Sequence, residues 1–214
     1  MTRLLSESLK DRTRSLHTQV ERSAFMHDLL RGRMDRHGYC LLLRNLHDVY
    51  AALEPALERH SGHPLLAPLH LVGLARKTPL QRDLESLEGA HWRESLPLES
   101  VTSHYVTRLQ TLAERDPALL VAHSYVRYLG DLSGGQMLAR IVRDSIAPSV
   151  LGGTAFYDFG DAQATERLRH DYRAGLDALA TDEATSEAIV NEAVLSFELH
   201  GQLFEALTRA RISR

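Results

Sequence analysis

The segment Tyr125-Val126-Arg127-Tyr128-Leu129-Gly130-Asp131-Leu132-Ser133-Gly134-Gly135-Gln136 decides how this chain is read. Its flanks, residues 118–124 and 137–145, are rich in helix formers, so the glycines fall inside a helical stretch. An interior glycine costs about 1 kcal/mol relative to alanine, so Gly130, Gly134 and Gly135 together cost roughly 3 kcal/mol if they act independently. Something must offset that cost. Glycine lets a flat object lie against the backbone, lets two helices cross closely, or lets the helix bend. The segment alone leaves those readings open.

Outward from it the pattern is helical nearly throughout. Leu9, Thr13, Leu16 and Val20 form one amphipathic stripe, with Ser8 and Asp11 as the capping box that starts it. A second helix is predicted over residues 36–59, with Leu42, Leu46, Val49, Leu53 and Leu57 on one face and Pro55 kinking it or ending it early. Residues 61–68 read as turn. Helices follow over 79–87, stopped by Gly89, over 97–115, and from Pro117 through Ile146. Residues 151–154 are a loop, and 162–179 and 183–209 are the last two helices. Val190, Val194, Phe197, Phe204 and Leu207 make the core stripe of the final one. No alternating run reads as a strand, and no repeat or linker divides the chain. The expectation is one all-α domain over residues 1–214.

Composition narrows the class. The chain is 43% hydrophobic and 25% charged with a formal charge of −3, a globular balance that does not support a general nucleic-acid binder. Cys40 is the single cysteine, which excludes an intrachain disulfide and favours a reducing compartment. No apolar run approaches the ~20 residues of a membrane span, and no signal core opens the chain. A cytoplasmic monomer without membrane or nucleic-acid partners is the expectation. Leu132-Ser133-Gly134-Gly135-Gln136 spells the signature of ABC-transporter ATPases, but the sequence has neither the phosphate-cradling Gly-x-x-x-x-Gly-Lys loop nor a strand to precede it. The spelling is a coincidence.

Residues 120–136 resemble the distal-helix motif of the biliverdin-forming haem oxygenases. Leu16-His17-Thr18-Gln19-Val20-Glu21 resembles the proximal motif, followed by Phe25-Met26. Phe156-Tyr157-Asp158-Phe159, Asp171-Tyr172-Arg173 and Gln202-Leu203-Phe204-Glu205 resemble later blocks in the same order. The resemblance spans roughly residues 6 to 208. It implies an all-helical domain with haem b between proximal and distal helices, the haem being both substrate and cofactor. It further implies oxidation with O2 and external electrons, from a ferredoxin or a flavoprotein reductase, to biliverdin, CO and free iron, with opening at the α-meso carbon.

By resemblance His17, one of twelve histidines, is the axial iron ligand. Glu21 follows one turn later on the same face, where a carboxylate can orient the imidazole. The resemblance makes Asp131 act through water rather than touch iron, with Gly130 and Gly134 permitting close backbone approach. Tyr50, Arg127 and Tyr128 are expected to hold that network. Lys10, Arg169 and Arg173 are expected to meet the propionates, with Arg14 a weaker candidate, since arginine can grip a carboxylate bidentately. Tyr125, Phe159, Phe197 and Phe204 are candidates to line the pocket. His200 stands where many relatives carry asparagine and is expected at the pocket edge, while His123 is read as packing.

Three other readings stay open at this stage. A haem carrier would use the same helices without needing Asp131. A di-iron oxidase would use Glu88-Gly89-Ala90-His91, although such a site wants two Glu-x-x-His motifs and further carboxylates. A thiaminase-like hydrolase would use Cys40 as nucleophile, although a cysteine beside Leu41 and Leu42 is more often buried and inert.

Overall fold

The structure is a computed structural model that describes residues 4–147 and 152–212. Among these there are ten α-helices and no strand. In order they are α1 (Leu5–Glu21), α2 (Ala24–Leu30), α3 (Arg36–Arg59), α4 (Lys77–Glu88), α5 (Trp92–Ser95), α6 (Ser100–Arg115), α7 (Leu120–Ser124), α8 (Gly130–Ile141), α9 (Ala162–Asp177) and α10 (Glu183–Ile212). The all-α expectation holds.

Hydrophobic spacing explains which faces pack. Leu5, Leu9 and Thr13 bury one side of α1 against α10, and the Thr13 hydroxyl donates to the Leu9 carbonyl at 2.7 Å. The predicted capping box does not form. Burial of Leu5 draws the helix start a turn earlier, leaving Ser8 inside it with its N–H bonded to the Leu4 carbonyl. In α3 the Asp35 carboxylate caps the start by accepting from the Gly38 N–H at 2.9 Å. Pro55 does not end that helix early. It faces solvent, where the carbonyl it leaves unpaired can be hydrated, while Leu53 and Ala56 continue the buried face and the helix reaches Arg59.

Helix α6 starts at Ser100, later than the sequence suggests. The Asn45 side chain on α3 supplies the cap, its Oδ1 accepting from the Glu99 N–H at 2.9 Å and the Thr102 hydroxyl at 2.7 Å. Gly89, at φ 81°, stops α4 as expected. The helix predicted from Pro117 to Ile146 is subdivided. A 3-10 turn over Pro117–Leu119 leads into α7, a π-turn over Tyr125–Leu129 precedes α8, and a second π-turn covers Val142–Ile146. Leu151 of the predicted loop lies outside the described residues, while Gly152 and Gly153 take positive φ there.

Two contacts set the frame around the glycine-bearing helix. Gly135 packs against Tyr157, whose ring a Cβ would meet at 3.4 Å. Tyr157 belongs to a 3-10 turn, Ala155–Tyr157, fastened to α4 by the Asp83 carboxylate, which accepts from the Ala155 and Phe156 N–H groups at 2.8 and 2.7 Å. Helices α1 and α8 share the neighbours α2 and α9.

Candidate active site

His17 lies on the outer part of α1, half-exposed, with its Nδ1 3.5 Å from the Glu21 carboxylate. The buried Phe197 ring of α10 meets the imidazole edge-on at 5.9 Å. With Nδ1 engaged by Glu21, Nε2 is the nitrogen available to a metal. Helix α8 presents Gly130 and Gly134 to open space, nothing lying within 4 Å of a Cβ built on either. Met137, one turn further on, is 57% exposed. An oriented imidazole, a bare glycine face and an exposed thioether suit a flat apolar ligand with a metal centre. The residues fit haem.

Beside the open glycines lies a closed polar cluster. Asp131, on the buried side of α8, accepts from the Tyr50 hydroxyl of α3 and from Arg127 Nη2 at 2.9 Å. Arg127, in the π-turn, also donates from Nε to Tyr50 at 3.3 Å and from Nη1 to His200 Nε2. Each carboxylate oxygen thus faces one partner, Oδ2 the Tyr50 hydroxyl and Oδ1 the Arg127 guanidinium. Burial pushes Asp131 above the usual carboxylate range, against the pull of Arg127. Burial likewise drives the Tyr50 hydroxyl well above its ordinary value, so it stays a donor. His200 is held well below the ordinary imidazole value by burial and by the Arg127 charge.

The sequence expectations meet this geometry unevenly. His17, Glu21 and Phe197 come together, as do Asp131, Arg127 and Tyr50. Tyr128 joins through its ring, 5.8 Å from that of Tyr50, and its other side lines a cavity of about 100 Å³ with Glu54 and Ser124. Tyr125 is partly buried beside Thr13, and Arg173 is close enough to act on its hydroxyl. Lys10 and Arg173 are exposed. Arg14 is engaged by Asp11 at 2.6 Å, and Arg169 by Glu166. Phe159 is buried and lies under the Arg76 guanidinium, 3.9 Å from ring centre to charge. Phe204 stacks on Phe25 and meets His200 edge-on.

His123 is buried packing, as read, but it also belongs to a chain of polar contacts. Its Nε2 lies 2.9 Å from Glu192 and its Nδ1 3.1 Å from the Tyr105 hydroxyl, while Glu192 pairs with Arg108. These groups were missed in the sequence, though the four-residue spacing of Glu192, Ser196 and His200 on one face was a signal available there. Arg76 was missed too. Buried, it donates to carbonyls of Gly73, Leu74, Ala75, Phe156 and Asp158 and so pins the chain under Phe159.

The rival chemistries find no support. Glu88 ends α4 at Gly89, and His91 is exposed and pairs with Glu94. Among the described residues no group of three His, Cys, Asp or Glu could hold a metal ion. Cys40 is fully buried, and burial drives its thiol far above the range of a nucleophile. No helix of the described residues is long and apolar enough to cross a membrane.

Comparison with known proteins places the whole chain. Heme oxygenase 1 of Gallus gallus is 39% identical over 98% of this chain and 71% of its own length. Heme oxygenase 1 of Nostoc sp. is 39% identical over 97% and 87%. The crystal structure of heme oxygenase-1 from the cyanobacterium Synechocystis sp. in complex with heme superposes with a TM-score of 0.92 at 36% identity, covering 99% of this chain and 95% of that one. The heme oxygenase family pattern matches residues 3–206. The chain belongs to the haem oxygenase family and is a haem oxygenase enzyme.

Proposed function

We propose that this enzyme opens haem b at the α-meso carbon, using O2 and electrons from an external donor, and yields biliverdin, CO and free iron. The observation that carries the proposal is the buried cluster of Asp131, Arg127 and Tyr50, whose acid lies on α8 between the open faces of Gly130 and Gly134. Mere binding needs no such acid. Bound haem supplies both the redox iron and the carbon that is oxidised.

The protein's own part is division of labour. His17 would hold the haem iron through Nε2, with Glu21 orienting the ring and raising its basicity through Nδ1. Lys10 and Arg173, both exposed, would meet the propionates, with Arg169 available once it leaves Glu166. The bare faces of Gly130 and Gly134 would let a flat ligand lie directly against the backbone. Asp131 accepts from Tyr50 and Arg127 with lone pairs to spare, so it can order water that delivers a proton without itself touching iron. The α position rests on the resemblance of the distal motif to the α-opening branch. A ferredoxin or flavoprotein reductase fits as donor, and a lone buried Cys40 fits a monomer working in the reducing cytoplasm.

Asp131→Ala tests the reading. Haem affinity should stay within roughly threefold of the parent while ring opening slows on the order of a hundredfold. Chromatography of the parent's pigment should give the α isomer. Undiminished turnover in the variant would contradict the role of Asp131, and a different isomer would contradict the regiochemistry.

A further inference from the structure

His200 is the one member of the buried cluster whose hydrogen-bonding state is not fixed by its chemistry, because an imidazole has two neutral tautomers and one charged form. The geometry admits only one of the three. Its Nδ1 lies 3.0 Å from the Ser196 carbonyl, which can only accept, so Nδ1 carries the proton. Its Nε2 faces Arg127 Nη1, which can only donate, so Nε2 must offer its lone pair. The other tautomer, or the imidazolium, would set N–H against N–H.

The ring cannot turn away from this choice. It stands edge-on to Tyr105 at 5.5 Å and to Phe204 at 6.3 Å, and it is fully enclosed. Ser196, whose carbonyl receives the Nδ1 proton, is itself held, its hydroxyl 2.7 Å from that of Tyr105. The charged and titratable groups facing His200 are Arg127 from the π-turn, His123 from α7 and Tyr105 from α6. The Arg127 charge opposes protonation of His200, as would a proton on His123.

Arg127 has three directed donors in this cluster, to His200, Tyr50 and Asp131. A guanidinium is planar, so fixing Nη1 at His200 also fixes the edge that meets the acid. We propose that His200 is a positioning residue for the oxygenation site: as the neutral Nδ1–H tautomer it anchors the far side of the Arg127 guanidinium and thereby aims Asp131. The proposal rests on the reading of that cluster as the oxygenation site. An amide Oδ1 can accept the same bond, so asparagine is the conservative replacement for His200.

Two measurements test it. In the haem-free protein with 15N-labelled histidine, NMR at pH 6.5, where an ordinary imidazole is half protonated, should show His200 neutral with the proton on Nδ1. His200→Asn assigns the signal. A doubly protonated ring or the Nε2–H tautomer would overturn the proposal. In the haem-loaded enzyme, His200→Leu should bind haem normally yet open it roughly tenfold more slowly, the loss of one charge-assisted bond, and His200→Asn should recover most of that rate. Parental rates in the leucine variant, or an asparagine variant as slow as leucine, would overturn the positioning role. If the parent protein itself leaves haem intact, the oxygenase reading falls and the positioning role falls with it, whereas an active parent with an unaffected leucine variant removes only this proposal.

Discussion

At the scale of the residue, His17 shows how little a side chain announces by itself. It is half-exposed and paired with Glu21, a surface arrangement worth little to stability, so its removal should hardly touch the fold. His17→Ala is therefore expected to melt within about 0.5 kcal/mol of the parent while losing the normal Soret and electron-paramagnetic signature of histidine-ligated haem. Unchanged ligation in that variant would remove His17 from its assigned place. The spacing to Glu21 was legible in the sequence because i and i+4 share a helix face. The engagement of Arg169 by Glu166 and of Arg14 by Asp11 was not, because each long basic side chain had several acidic neighbours within reach and its choice depends on packing. The contact of Phe159 with Arg76 was not legible for a related reason: only the fold brings the guanidinium over its ring.

At the scale of the element, the glycine-bearing stretch divides by what its glycines meet. Gly135 packs on Tyr157, whereas Gly134 faces open space. Gly134→Leu should therefore leave the haem-free protein as stable as the parent or better, by up to about 1 kcal/mol from helix propensity, and weaken haem binding at least roughly tenfold. Gly135→Leu should do the reverse, destabilising the fold by about 1–3 kcal/mol through the crowded Tyr157. Thermal melts and hemin titrations of the two variants check both halves, and a Gly134→Leu protein with parental haem affinity would show that no ligand lies on that face. The long helices were readable from their stripes. The π-turn over Tyr125–Leu129 was not, because an extra residue per turn shifts the hydrogen-bond ladder without changing composition, and α2, Ala24–Leu30, was too short for its pair Phe25 and Leu29 to stand out as periodic.

At the scale of the molecule, the buried histidines give the fold an acid limit. Burial holds both His123 and His200 below the ordinary value of 6.5. The unfolded chain therefore takes up protons below pH 6.5 that the folded protein refuses, and stability falls as the pH drops through that window, by up to about 1.4 kcal/mol per unit for each imidazole. Glu192, held down to about 2 by His123 and Arg108 against its own burial, adds a further loss between 4.5 and 2. Urea denaturation at neutral and mildly acidic pH should show this slope, and His200→Asn should flatten it; a slope unchanged in that variant would mean His200 is not the buried neutral group described. The whole assembly, an imidazole on α1 and an acid on α8 with bare glycines beside it, is organised for turnover of a bound ligand. The most direct test is to add hemin and a competent electron donor in air and follow the visible spectrum. A stoichiometric Soret complex that decays to the broad absorption of biliverdin with release of CO is the predicted result. A Soret complex that persists unchanged, or none at all, would contradict it.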